Sequence, residues 1–103
     1  MSKSDKINDL GNFIGLKAAH EILIKFANES DSIPHLEREV DNYGNLSLEL
    51  AEGNWNENDV EIIKGIAIKR CKKKLDNYTE LGENKYKEIE STIDLIMKDL
   101  ELL

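Results

Sequence analysis

The chain has 103 residues, a length typical of one domain, and 40% of them are hydrophobic, which is enough to build a core. One proline and six glycines are too few for the many turns of an all-β protein. No run of about 18 apolar residues predicts a membrane-spanning helix, and the polar opening residues do not resemble a secretory signal. A single cysteine cannot form an internal disulfide, so we expect a cytoplasmic protein.

The net charge is −7, from 14 basic and 21 acidic residues. An acidic chain is repelled by phosphates, so this charge disfavours general affinity for nucleic acids. We therefore expect a protein partner or self-association, and no membrane partner.

The first helix is predicted over residues 4–27, because apolar residues recur there at spacings of three and four. Residues 13–27 contain only four polar side chains, so this helix is apolar on several sides. We expect it to be the central element around which the other helices pack. Small residues at four-residue spacing would let another helix approach closely: Gly11, Gly15 and Ala19.

The second helix is predicted over residues 33–52, after a polar joint at residues 28–32 in which Ser32 can serve as the N-cap. Gly44 is the weak point of this helix, since glycine costs roughly 1 kcal/mol relative to alanine in a helix interior. A break at Gly44 is one alternative, and residues 46–50 alternate like a strand. A lone strand would have no partner, so we expect a helix.

The third helix is predicted over residues 57–80, with Gly53 ending the second helix and Gly82 closing the third. Asn56 is in position to cap it. Trp55 and Val60 have the spacing of a hydrophobic staple, which would seal the end of the bundle. The alternative is that Trp55 projects outward as an anchor for a partner.

The fourth helix is predicted over residues 84–100, where an apolar stripe runs from Tyr86 to Leu100. Short joints between helices favour antiparallel neighbours. The sequence therefore predicts an all-α fold, a single domain over residues 1–103 arranged as a four-helix antiparallel up-down bundle.

Residues that could carry catalysis or bind a metal do not occur in the required patterns. Neither His20 nor His35 completes the Glu-x-x-His spacing of metal sites in helical bundles. Cys71 lies on the apolar face of the third helix, as expected of a buried, unreactive thiol. There is also no Gly-rich phosphate loop. We therefore expect a binding protein without a cofactor or metal rather than an enzyme.

Charge is distributed unevenly along the chain. Residues 41–61 contain six acidic residues and no basic one, whereas residues 62–74 contain six basic residues and no acidic one. This order suits the dipole of the third helix, and that is the simplest interpretation. The functional interpretation is a protein-docking surface on its outer face, formed by Ile62, Ile66, Lys69, Arg70 and Lys73.

Two alternatives to a protein-docking role stay open. Nucleic acid could bind along Lys69, Arg70, Lys72 and Lys73, although no aromatic residue lies between them for base stacking. A small-molecule or metal-dependent enzyme is the other alternative. Apolar residues outside the helical stripes favour a partner or a homodimer, although a monomer with a partly apolar surface would also explain them: Leu16, Ile24, Leu46, Leu48, Leu102 and Leu103.

Overall fold

The computed structural model describes residues 2–26 and 33–103, and over these ranges the chain is helical and contains no strand. Its α-helices are α1 (Lys3–Phe26), α2 (Ile33–Ala51), α3 (Glu57–Leu75) and α4 (Ile89–Asp99). The predicted all-α helical bundle is confirmed, whereas the up-down order of its helices stays a prediction. Ala27, the polar joint and the proposed cap Ser32 lie outside the described residues. None of the helices in the described ranges has the length and apolarity needed to cross a bilayer.

Helix α1 is the central element of the bundle, as its apolar circumference predicted. It packs against α2, α3 and α4. Nine of its residues are buried, against two in α2. The rest of the core comes mainly from one face of α3 and one face of α4: Ile63, Ala67, Cys71, Leu75, Ile89, Ile93, Ile96 and Met97.

Helices α1 and α3 lie almost backbone to backbone. The side chain of Ile66 packs on Gly11, and the backbone of Ala67 packs on Gly15. Near the start of both helices, the Lys3 ammonium lies 2.7 Å from the Asp59 carboxylate. Residue numbers rise together along these contacts, so α1 and α3 point the same way. The small residues of α1 serve the close helix approach that their spacing predicted.

Helix α2 is attached more shallowly. Only Leu36 and Ser47 are buried, and the Ser47 hydroxyl donates a hydrogen bond of 2.7 Å to the Tyr43 carbonyl one turn earlier. The ring of Tyr43 stacks on Phe13 of α1 with 6.1 Å between ring centroids. The helix continues through Gly44 without a break. Because so little of α2 is buried, apolar side chains on its second half remain at the surface.

A capping box begins α3, as the sequence indicated. The Asp59 N–H donates to the Asn56 side-chain oxygen at 2.8 Å, and the Asn56 N–H donates to the Asp59 carboxylate at 3.2 Å. The Lys3 ammonium is the main reason why the pKa of Asp59 lies below its usual value, and the Asn56 hydrogen bond acts in the same direction. One carboxylate therefore both caps α3 and ties it to the start of α1.

The segment between α3 and α4 differs from the prediction of two long helices. Helix α3 ends at Leu75 rather than near residue 80, and two 3₁₀ turns, Thr79–Leu81 and Asn84–Glu88, precede α4. Between the two turns Gly82 adopts a φ of 74°, which favours glycine. The Tyr86 hydroxyl donates a hydrogen bond of 2.6 Å to the Asp76 carboxylate. This hydrogen bond spans the connection between α3 and α4, whose 3₁₀ turns helical periodicity alone does not reveal.

His20 is the one buried histidine among the described residues. Its Nδ1 atom lies 2.6 Å from the Leu16 carbonyl oxygen, and its ring centroid lies 5.5 Å from that of Tyr43. Burial lowers the pKa of His20 below its ordinary value of 6.5, and the Leu16 hydrogen bond partly opposes that shift. The neutral imidazole is therefore the form that fits between α1 and α2.

Gly15→Ala should destabilise the protein by about 1–3 kcal/mol. A Cβ atom at this position would lie 2.6 Å from the Ala67 carbonyl oxygen, so the two helices would have to separate. The measurement is the free energy of unfolding in urea. Gly65→Ala is the matched control, because nothing lies within 4 Å of a Cβ atom there and alanine favours a helix by about 1 kcal/mol. If both variants were stabilised, the close contact of α1 and α3 would be contradicted.

Stability should fall as the pH is lowered from about 7.5 to about 5.5. The unfolded chain binds a proton at His20 near pH 6.5, whereas the folded protein binds it only at lower pH. The charged groups that act on His20 are Lys74 of α3 and Glu39 and His35 of α2.

Urea unfolding at both pH values tests this, with His20→Gln expected to reduce the pH dependence. Glu21 acts with the opposite sign because burial raises its pKa, but it is present both in His20→Gln and in the unmodified protein. An equal pH dependence in His20→Gln and the unmodified protein would contradict the prediction.

Candidate functional site

The structure gathers most of the predicted docking residues in one shallow groove. Lys69, Arg70 and Lys73 line it together with Ile66, and α1 contributes Asn8 and Asn12 to the opposite wall. Lys69 and Lys73 are exposed, and Arg70 is half-buried because its stem packs near Gly15. Ile62 lies outside this groove but is exposed to 44% one turn earlier. We call these five α3 residues the outer face of α3.

Ile66 differs from the expectation of an exposed apolar side chain. It is half-buried, because Gly11 has no side chain and leaves room for it against α1. An Ile66 substitution would therefore disturb helix packing as well as any docking surface. Only Ile62 gives the outer face of α3 an exposed large apolar group, so this surface is chiefly cationic.

The other basic residues of α3 have different surroundings. The Lys64 ammonium lies 2.9 Å from the Asp94 carboxylate and 3.4 Å from that of Glu90, so it joins α3 to α4. Lys72 lines a separate groove with Lys87. The strip proposed for nucleic acid is therefore divided, with three of its four cations on the outer face of α3.

The buried titratable groups of the core are not arranged for catalysis. Burial raises the pKa of the Cys71 thiol to about 12, so it stays protonated and is a poor nucleophile. His20 is held between α1 and α2 by the contacts described above. Within residues 2–26 and 33–103, no three His, Cys, Asp or Glu side chains come close enough together to hold a metal ion.

A second surface, which the sequence analysis did not identify as a site, lies at the end of the bundle where α2 finishes and α3 begins. A groove of about 440 Å³ runs from Leu48 past Trp55 and Val60 to Leu100 and Leu102. A neighbouring groove of about 400 Å³ shares Trp55, Val60 and Leu102 and extends to Leu103. We call the two together the end groove.

Carboxylates surround the end groove. Its lining includes five acidic residues, all exposed, and among the described residues no basic one: Glu52, Glu57, Glu61, Asp99 and Glu101. The Lys3 ammonium lies 6.0 Å from the Trp55 ring centroid but is ion-paired with Asp59. Five exposed carboxylates with no basic residue beside them in the lining make the end groove an acidic surface.

Two backbone turns build the groove. Gly53 adopts a φ of 150°, and the Trp55 indole N–H donates a hydrogen bond of 2.9 Å to the Ala51 carbonyl. At the other wall, α4 ends in a Schellman motif, in which the Leu102 N–H donates to the Met97 carbonyl at 2.9 Å and Glu101 has a φ of 61°. Trp55 is thus half-buried, fastened to α2 by this hydrogen bond and open to the groove, while the choice between staple and anchor stays a prediction.

The sequence contained a signal for this surface. The acidic run of residues 41–61 surrounds Trp55, and Leu102 and Leu103 lie past the stripe of the fourth helix. The missing information was that these segments meet, because the lining comes from two stretches that lie far apart in the chain, residues 48–61 and 99–103.

Comparisons with known proteins do not assign a function. No family model, curated protein or solved structure matches the chain significantly. The functional argument therefore rests on two surfaces of opposite chemistry, the cationic outer face of α3 and the acidic, apolar end groove.

Proposed function

We propose that this chain is a cytoplasmic protein-interaction module that docks through the outer face of α3. The observation that carries the proposal is the gathering of Lys69, Arg70 and Lys73 in one groove with α1. Its partner presents carboxylates, since cations clustered on one surface select a complementary acidic one.

Supporting features come from both walls of the groove. Asn8 and Asn12 offer amide donors and acceptors opposite the three cations. Exposed Ile62 adds an apolar contact beside them. Among the described residues, no carboxylate lies within ion-pair distance of Lys69, Arg70 or Lys73. Lys64, in contrast, is ion-paired with Glu90 and Asp94 of α4.

The triple variant Lys69→Gln, Arg70→Gln, Lys73→Gln tests this proposal. Glutamine keeps the helix propensity of the cations while removing their charge. Exposed ion pairs contribute about 0.5 kcal/mol each, so the partner should bind about tenfold more weakly. The measurement is the affinity of a partner captured from nuclease-treated lysate, at two salt concentrations.

The control variant is Lys6→Gln, Lys87→Gln, Lys98→Gln, which removes the same charge from exposed positions elsewhere. It should bind as tightly as the unmodified chain. If partner affinity fell equally in both triple variants, only the net charge of the chain would matter, and docking through the outer face of α3 would be contradicted. Capture that disappears on nuclease treatment would replace the protein partner with a nucleic acid, whose affinity falls steeply with salt.

A further inference from the structure

We propose that the end groove binds a cationic amphipathic segment of a partner protein, one that carries leucine-like side chains together with lysine or arginine. This surface is distinct from the outer face of α3, because none of the five outer-face residues lines the end groove. The partner segment expected here is cationic, whereas the partner expected at the outer face of α3 is acidic.

The apolar part of the groove consists of side chains packed against the core, with exposed leucines at its edges. Trp55, Val60, Leu100 and Leu102 are half-buried and pack against the core, so they are held in place. Leu48 and Leu103 stand above them, each exposed to 55%. A pre-formed apolar trough with raised edges is the shape that binds the apolar face of an amphipathic segment.

Electrostatics selects the kind of segment. The five carboxylates that surround the trough come from the ends of α2 and α4 and the start of α3. A protein interface usually has apolar groups at its centre and polar or charged groups around its rim. Lysine or arginine beside the apolar anchors would meet this rim, whereas an acidic or neutral segment would not.

A second copy of this chain is the competing occupant. Its outer face of α3 is cationic and includes Ile62, which gives it some of the required chemistry. However, each copy has a net charge of −7, so two copies repel one another as whole molecules. A separate cationic partner gains attraction from the whole charge as well as from the rim, and the observations favour it.

Trp55 provides a direct test, since it is the chain's single tryptophan and lines the groove. The probe is a short tryptophan-free peptide of Leu and Lys whose leucines fall on one helical face. Titration should shift the Trp55 emission in a saturable way, and added salt should weaken the binding. Two comparison peptides separate the contributions: one with Glu in place of Lys, and one with Ser in place of Leu. Neither should saturate.

Paired variants locate the binding. Leu48→Gln with Leu103→Gln should weaken the peptide about tenfold, because both side chains are half exposed at the groove edges. The control is Leu46→Gln with Leu95→Gln, which alters exposed leucines outside the groove and should leave affinity unchanged. A second pair of variants tests the acidic rim. Removing three of its carboxylates together should weaken peptide binding by a similar factor: Glu57→Gln, Glu61→Gln and Glu101→Gln. Removing three exposed carboxylates outside the groove is the control and should leave the affinity unchanged: Glu37→Gln, Glu49→Gln and Glu83→Gln.

Several outcomes would overturn the proposal. The first is the absence of a saturable Trp55 signal with the Leu/Lys peptide, and the second is equal affinity in the groove variant and its leucine control. Saturable binding of the Leu/Glu peptide would show that charge does not select the occupant. Trp55 emission that changes with protein concentration alone, together with dimers in light scattering, would identify a second copy as the occupant. Variants of the outer face of α3 should leave peptide binding intact, so failure here is distinguishable from failure of the proposed function.

Discussion

The bundle depends on the strip where α1 meets α3 across Gly11 and Gly15. At that distance each helix backbone forms part of the other's packing surface, and a single added methyl group at Gly15 would collide with a carbonyl oxygen. The contact fixes how far Ile63, Ala67 and Cys71 reach into the core. It also fixes the outer face of α3, since the cations of that face line a groove whose other wall is α1. The cationic surface is therefore a consequence of the glycines.

The second surface lies beside α2, which packs along α1 but fully buries few of its own side chains. A helix that buried a full apolar stripe would draw Leu48 inward, but α2 buries only Leu36 and Ser47. Its last turns consequently stand beside the end of α4 without closing over it, and the space between them becomes the end groove. The limited burial of α2 and the accessibility of the end groove therefore have the same structural origin.

Local signals in the sequence located the four helices and most of the residues on the outer face of α3, but neither the end of α3 nor the end groove. The capping box at Asn56 and the apolar circumference of α1 act over a few residues, so they could be identified from sequence. The early end of α3 could not, because the apolar spacing of residues 75–89 does not distinguish two 3₁₀ turns from a continuing α-helix. Ile66 was assigned to the exterior from its angle on the helix, but a glycine on a different helix provides its cover. The end groove required knowing which distant segments meet.

The parallel pairing of α1 with α3 also has a consequence for how the chain folds. Ile66 follows Gly11 by more than half the length of the chain, so this contact closes a long loop that includes all of α2. A nascent chain that has emerged only as far as α2 exposes the glycine strip and the apolar residues of α1 that α3 later covers. The bundle therefore cannot complete its core before α3 has been synthesised, and until then the apolar residues of α1 remain available for non-native contacts.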